Sequence, residues 1–150
     1  MRSNIDEMHR NAKAGSCVAQ TFLGLSYLHG YEVEVNLGEA FKFLSAAANQ
    51  GGSRATIGLA SMYAKGLGVP RNLIEAIRLF ESVAAPPNGS DAFTARIELA
   101  RLYLHGSGIP VDVEKAANWY EAAIAISTGK EDPEDLREAR SHLGKVNDNH

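Results

Sequence analysis

The chain has 150 residues, 45% of them apolar and 22% charged, a balance that fits a folded protein and argues against global disorder. Its net charge of −3 excludes the basic surface of an electrostatic nucleic-acid binder, and no apolar run approaches the roughly 18 residues that a membrane helix needs. The single cysteine, Cys17, excludes an intrachain disulfide and fits a reducing compartment, and residues 1–7 carry no apolar signal core. The cytoplasm is therefore the expected location, unless an export signal has been removed.

In chain order, residues 4–15 come first. Shifting the sequence by 36 residues aligns Met8, Ala12 and Gly15 with Leu44, Ala48 and Gly51, so this segment reads as the second helix of a preceding, partial unit. Residues 16–52 form the first full unit, anchored on Tyr27. Ala19 and Leu23 stand eight and four residues before that tyrosine, Gly30 three after it and Ala40 thirteen after it. The same frame returns in residues 53–90 around Tyr63 (Ala55, Leu59, Gly66, Ala76) and in residues 91–128 around Tyr103 (Ala95, Leu99, Gly106, Ala116). The tyrosines recur at intervals of 36 and 40 residues, a period that marks stacked supersecondary units.

Within a unit the apolar spacing is helical. Ala55, Leu59, Met62 and Tyr63 form one stripe, and Ala76, Leu79, Phe80, Val83 and Ala84 form a second. Between them, Gly66 suits a left-handed helix end, Pro70 cannot continue a helix, and Asn72 can cap the next one. The third unit repeats this with Gly106-Ser107-Gly108-Ile109-Pro110 and Asp112 at the cap position. Each unit thus predicts a helix A, a fixed loop and a helix B. Small residues hold equivalent places, Gly24, Ala60 and Ala100 on helix A and Ala40, Ala76 and Ala116 on helix B, where they let backbones approach closely.

Pro86-Pro87-Asn88-Gly89-Ser90-Asp91 supplies the extra residues of the longer interval and is expected to be a loop that ends in a helix cap. Ser127 to Pro133 is expected to be a second loop, with the acids Glu131, Asp132, Glu134 and Asp135 marking a helix start. Ala139, Leu143 and Gly144 repeat the spacing of Ala19, Leu23 and Gly24, so residues 133–147 read as a C-terminal capping helix. Residues 1–150 are expected to form a single all-α solenoid domain of three full units with partial capping helices at each end.

The run Leu59-Ala60-Ser61-Met62-Tyr63-Ala64-Lys65-Gly66-Leu67-Gly68-Val69, followed by Asn72, Ala76, Leu79 and Phe80, resembles the Sel-one-like repeat family, relatives of the tetratricopeptide α/α solenoids. Residues 99–109 with Asp112, Ala116, Trp119 and Tyr120 give a third copy of the motif. The first copy departs in its loop, where Glu32 and Glu34 replace the second glycine and the proline, which leaves that loop's conformation open. The resemblance implies a right-handed superhelix whose A helices line a concave face. It also implies an adaptor or scaffold role, often in bacterial signalling, envelope assembly or host contact. The disulfide-pinned subclass of the family needs cysteines that this chain lacks.

The helix A positions outside the buried stripe are expected to face that groove. They are Thr21, Phe22, Leu25 and His29; Arg54, Ile57, Ser61 and Lys65; and Thr94, Glu98, Arg101 and His105. Phe22 and Leu25 would hold an apolar side chain of a partner, and Arg54, Lys65 and Arg101 would meet its carboxylates. The plain alternative is that these are solvated helix residues, with Phe22 packed under the N-terminal helix.

His29 and His105 share a Tyr-Leu-His-Gly context, but Lys65 interrupts the series and a C-terminal helix position explains a histidine without metal. Gly66-Leu67-Gly68 lacks the strand and the lysine of a phosphate loop. Cys17 has no evident activating base, and Trp119 and Tyr120 read as core. The expected function is accordingly a non-catalytic module that binds a protein or peptide, without cofactor, metal, nucleic acid or membrane insertion, in a bacterial signalling or regulatory complex. The alternatives are a small hydrolase acting on cell-wall or β-lactam-like compounds, and homo-oligomer formation through the solenoid ends.

Overall fold

The computed structural model describes residues 4–85, 89–106 and 108–148, all of whose regular elements are helices. In chain order these are α1 (Asn4–Lys13), α2 (Cys17–His29), α3 (Leu37–Asn49), α4 (Ser53–Lys65), α5 (Leu73–Ala84), α6 (Gly89–His105), α7 (Val113–Ile126) and α8 (Pro133–Asp148). They fall into two compact units, residues 1–79 and 80–150. Pro86, Pro87, Asn88 and Ser107, which the sequence assigns to loops, lie outside the described residues.

One backbone bond recurs in every repeat. The Tyr27 carbonyl accepts the N–H of Asn36 at 3.0 Å, the Tyr63 carbonyl that of Asn72 at 2.9 Å, and the Tyr103 carbonyl that of Asp112 at 2.9 Å. Each donor is also the cap of the helix it opens. Asn36 Oδ1 accepts from the Glu39 N–H (3.1 Å), Asn72 Oδ1 from Glu75 (3.0 Å) and Asp112 Oδ1 from Lys115 (2.9 Å). The end of helix A is therefore tied to the cap of helix B, whose side chain also satisfies one of that helix's orphan N–H groups.

The loops between these ties need left-handed backbone. Gly66 (φ 67) and Gly68 (φ 73) provide it in the second repeat, and Gly30 (φ 77) provides the first of the pair in repeat one. Glu32 takes the second place with φ 60, the sole non-glycine at positive φ among the described residues. The loop that the sequence left open thus keeps the conformation of its neighbour despite an unfavourable residue. Gly106 answers to a different constraint, since a Cβ there would collide with the Leu102 carbonyl oxygen.

Close approach of small residues sets the packing. A Cβ on Gly24 would stand 2.6 Å from the Leu44 side chain, so α2 and α3 meet there without room for a methyl. Ala40, Ala60, Ala76, Ala100 and Ala116 are all fully buried. In the first unit Ile5, Ala12, Ala19 and Leu23 form a core under α1, with Met8, Phe22, Tyr27, Val33 and Phe43 packed against it. In the second unit Phe93, Ile97, Ala100, Tyr120 and Ala123 pack with Leu136 and Ala139 of α8, backed by Trp119 and Leu143. The C-terminal capping helix is thus a real element with its apolar face turned inward, as the repeated Ala-x-x-x-Leu spacing predicts.

One boundary differs from the sequence reading. Gly89, Ser90 and Asp91 belong to α6 rather than to a loop. The Thr94 hydroxyl donates to the Ser90 carbonyl at 3.2 Å, and the Asp91 carboxylate in the first turn favours the helix N-terminus. At the other junction Asp132 opens α8, its Oδ1 accepting from the Glu134 N–H at 2.8 Å. Glu131 instead closes the preceding turn, accepting from the N–H groups of Thr128 and Gly129 at 2.9 Å each. The Thr128 backbone above all pulls its carboxyl down to about 2.

Two substitutions check this account by urea or thermal unfolding. Glu32→Gly should raise stability by about 0.5–1 kcal/mol, because it relieves a left-handed L-residue at some cost in unfolded-chain entropy. Ala76→Arg should lower it by about 3 kcal/mol or more, since a fully buried methyl gives way to a long, charged side chain.

Candidate partner-binding face

Helix A of each repeat presents two kinds of surface. The stripe carrying Ala19, Leu23 and Gly24, or Ala55, Leu59 and Ala60, faces inward together with Gln20, Ser26, Thr56, Gly58 and Met62, and other positions keep solvent exposure. In unit 1–79 the positions expected to bind are shared between α2 and α4. Thr21, Phe22, Leu25, Ile57 and Ser61 are half-buried, whereas His29, Arg54 and Lys65 are exposed. The two helices approach closely, for a Cβ on Gly58 would lie 3.3 Å from Leu25 Cδ2 and 3.1 Å from Leu44 Cδ1. Leu25 and Ile57 therefore offer partly exposed apolar side chains on adjoining helices, and α4 also carries the cations Arg54 and Lys65 near its two ends. Thr21 turns back on its own helix, its hydroxyl donating to the Cys17 carbonyl at 2.8 Å. Phe22 packs against the core under α1, and the His29 ring lies 5.4 Å from that of Tyr31.

In unit 80–150 the corresponding positions on α6 are Thr94, Glu98 and Arg101, half-buried, and His105, exposed. Here the surface is already engaged. Arg101 reaches Glu98 at 2.8 Å, Asp135 at 2.6 Å and Glu138 at 2.6 Å. Glu138 also accepts from the buried Tyr120 hydroxyl at 3.1 Å. A cation expected to meet a partner's carboxylates thus meets carboxylates of α8, the adjacent A helix. The hydrogen bonds that Arg101 donates to Glu138 are the main influence that raises the Arg101 guanidinium above its ordinary value, and the same bonds pull the Glu138 carboxyl below the usual range. Burial, reinforced by the Glu138 charge, raises the Tyr120 phenol well above its ordinary value and keeps it a donor.

Sequence reasoning misses this network. Asp135 and Glu138 lie one helical turn apart and roughly one repeat after Arg101, which is the spacing that brings side chains of successive A helices together. That coincidence was the available signal. Arg96, also unremarked from sequence, braces the second unit by donating to the carbonyls of Ala84 (2.9 Å) and Ala122 (2.7 Å). The Cys17 thiol donates to the Ala47 carbonyl at 3.6 Å. Among the described residues no group of His, Cys, Asp and Glu is arranged to hold a metal ion, and no helix is long and apolar enough to cross a membrane.

Helix pairs joined by a fixed loop, repeated three times with half-repeats at either end, define an α/α helical-repeat solenoid of the tetratricopeptide-like class. The chain belongs to the Sel1 repeat family, whose model matches residues 17–52, 53–85 and 94–126. Proteins of this family generally serve as scaffolds for protein–protein interaction and are generally not catalysts. The chain is 38% identical over 77 residues to DAP3-binding cell death enhancer 1 of mouse (Mus musculus) and, over the same length, to that of rat (Rattus norvegicus). The match takes in 51% of this chain and 15% of those relatives' length.

Among solved structures, a protective antigen of uropathogenic Escherichia coli strains with the SLR fold superposes with a TM-score of 0.71 at 28% identity. That match covers 83% of this chain and 26% of the antigen. A Sel1 repeat protein from Oxalobacter formigenes gives a TM-score of 0.66 at 25% identity, covering 87% and 49% respectively.

The Arg101 network makes stability depend on acid pH. Glu138 has a folded-state pKa below its ordinary 4.5, so its contribution is complete above that value and is lost as pH falls through the folded value. The thermal midpoint should drop on acidification below about pH 4.5, and Glu138→Gln should flatten that drop. At neutral pH, Arg101→Ala should cost about 1–2 kcal/mol, the discount for partial exposure included.

Proposed function

We propose that the protein is a non-catalytic adaptor that binds a peptide or a partner protein on the helix A face, within a bacterial signalling or regulatory complex in the cytoplasm. The observation that carries this reading is the α2–α4 surface. Leu25 and Ile57 remain half-exposed on adjoining helices, flanked by exposed Arg54 and Lys65, the pairing of apolar anchor and charged rim that protein interfaces use. Thr21, Phe22, His29 and Ser61 complete the proposed contact surface in that unit. Thr94, Glu98, Arg101 and His105 are proposed as a separate contact surface of the second unit, with Arg101 acting through the carboxylates it already holds.

Three further facts support the reading. Family members generally scaffold other proteins, the rodent relatives are named for binding a protein, and both solved neighbours described above are bacterial. A free thiol, Cys17, suits the cytoplasm.

The test is affinity capture of a partner followed by isothermal titration. Arg54→Ala/Lys65→Ala and, separately, Ile57→Asp should each weaken binding by about tenfold or more, with the circular dichroism spectrum unchanged. Undiminished affinity in both variants would refute the face assignment.

A further inference from the structure

A second surface of the first unit is lined by residues other than those of the α2–α4 face just described. A solvent-open cavity of about 490 Å³ is lined by His9, Arg10 and Lys13 of α1, Gln20 of α2, and Lys42 and Phe43 of α3, with Ala12 and Ala46 also lining it. Its size is that of a ligand pocket rather than a packing defect, which would hold a water or two. Every charged side chain in the lining is cationic, although the chain as a whole carries net charge −3. Arg10, Lys13 and Lys42 form no ion pair among the described residues. Lys42 has instead a cation–π contact, with its Nζ 5.4 Å from the Phe43 ring centroid.

Helix electrostatics explain only part of this. Arg10 and Lys13 sit in the last turn of α1, where the helix dipole favours positive charge. Lys42 stands in the interior of α3, where the dipole gives it no such support. The wall beside these cations is a fixed aromatic cluster. Tyr27 and Phe43 stack with ring planes 4° apart, and His9 meets both edge-on while its Nε2 is hydrogen-bonded to the Tyr27 hydroxyl at 2.9 Å. Gln20 is closed off from any ligand in the same sense. Its amide donates to the Ala12 carbonyl (3.2 Å) and its oxygen accepts from Gln50 (2.7 Å). The pocket thus has an aromatic wall and cations on two sides.

We propose that this cavity between α1 and α3 is a docking site for an acidic peptide segment in which one apolar side chain is flanked by carboxylates. The apolar side chain packs against Phe43, Ala12 and Ala46. Carboxylates on one side meet Arg10 and Lys13, which are one helical turn apart and so spaced for successive acids, and those on the other side meet Lys42. A bare inorganic anion would use the cations and leave the aromatic wall idle. The segment with an apolar centre uses both.

Fluorescence anisotropy tests this on the full chain, with a labelled short peptide of one leucine flanked on both sides by paired glutamates. Binding should weaken as ionic strength rises, and the peptide with lysines in place of the glutamates should not bind. The exposed-site variant Arg10→Glu/Lys42→Glu should lose affinity by about tenfold or more with its unfolding midpoint retained, and Arg54→Ala/Lys65→Ala should leave affinity unchanged. Replacing the central leucine by glutamine should also weaken binding severalfold. Equal affinity of the charge-reversed variant would overturn the proposal. So would indifference to the leucine, or full competition by inorganic phosphate at equal ionic strength, since either outcome assigns the cations to simple anions.

Discussion

Much in this molecule depends on a single backbone hydrogen bond made three times, from the N–H of each helix B cap to the carbonyl of the repeat tyrosine. It removes the freedom of the loop to swing, and so fixes where helix B begins relative to helix A. Once that start is fixed, positions thirteen residues beyond the tyrosine fall at the helix crossing, and only a small residue fits there; Ala40, Ala76 and Ala116 are each without exposed surface. The crossing in turn brings Leu44 against Gly24 at a distance that excludes a methyl. Hydrogen bond, small-residue contact and leucine core form one chain of cause, and a fault in the first would propagate to the others.

The two units use the same frame to opposite effect. In the first, the A-helix pair leaves Leu25 and Ile57 half-exposed. In the second, α8 lies on α6 and occupies the equivalent surface through Arg101, Asp135 and Glu138, with Tyr120 tethered beneath. Burial and the Glu138 charge shift Tyr120 in that cluster, whereas Arg101 and Glu138, like the surface pair Glu75–Arg78, are shifted mainly by the hydrogen bonds between them. The same helix type therefore carries half-exposed apolar side chains in one place and an ion-paired seam in the other.

The sequence disclosed the elements well because they are written as periods. Stripes, caps at Asn72 and Asp112, the left-handed Gly66 and the capping helix around Ala139 all follow from local stereochemistry and spacing. The start of α6 was less legible, since Gly89 and Ser90 are loop residues by composition and are drawn into the helix by its acidic first turn. Residues that act across elements were least legible. Nothing local in Arg101 distinguishes a cation awaiting a partner from one satisfied by Glu138, and nothing in Arg10 and Lys42 announces that α1 and α3 aim them into one cavity. Register identifies a helix face; only the fold identifies what stands opposite it.

The tie between tyrosine carbonyl and cap amide has a consequence for how such chains change over time. Both of its partners are main-chain atoms, so the bond survives exchange of nearly every side chain in the loop that it closes. Glu32 illustrates the tolerance, for it sits where glycine is preferred and the loop still closes at 3.0 Å. A repeat held by such a clasp behaves as an interchangeable part. Gene duplication or recombination that preserves the interval from tyrosine to cap yields another well-formed helix pair, whatever the intervening letters, and binding surfaces can diversify without renegotiating the scaffold.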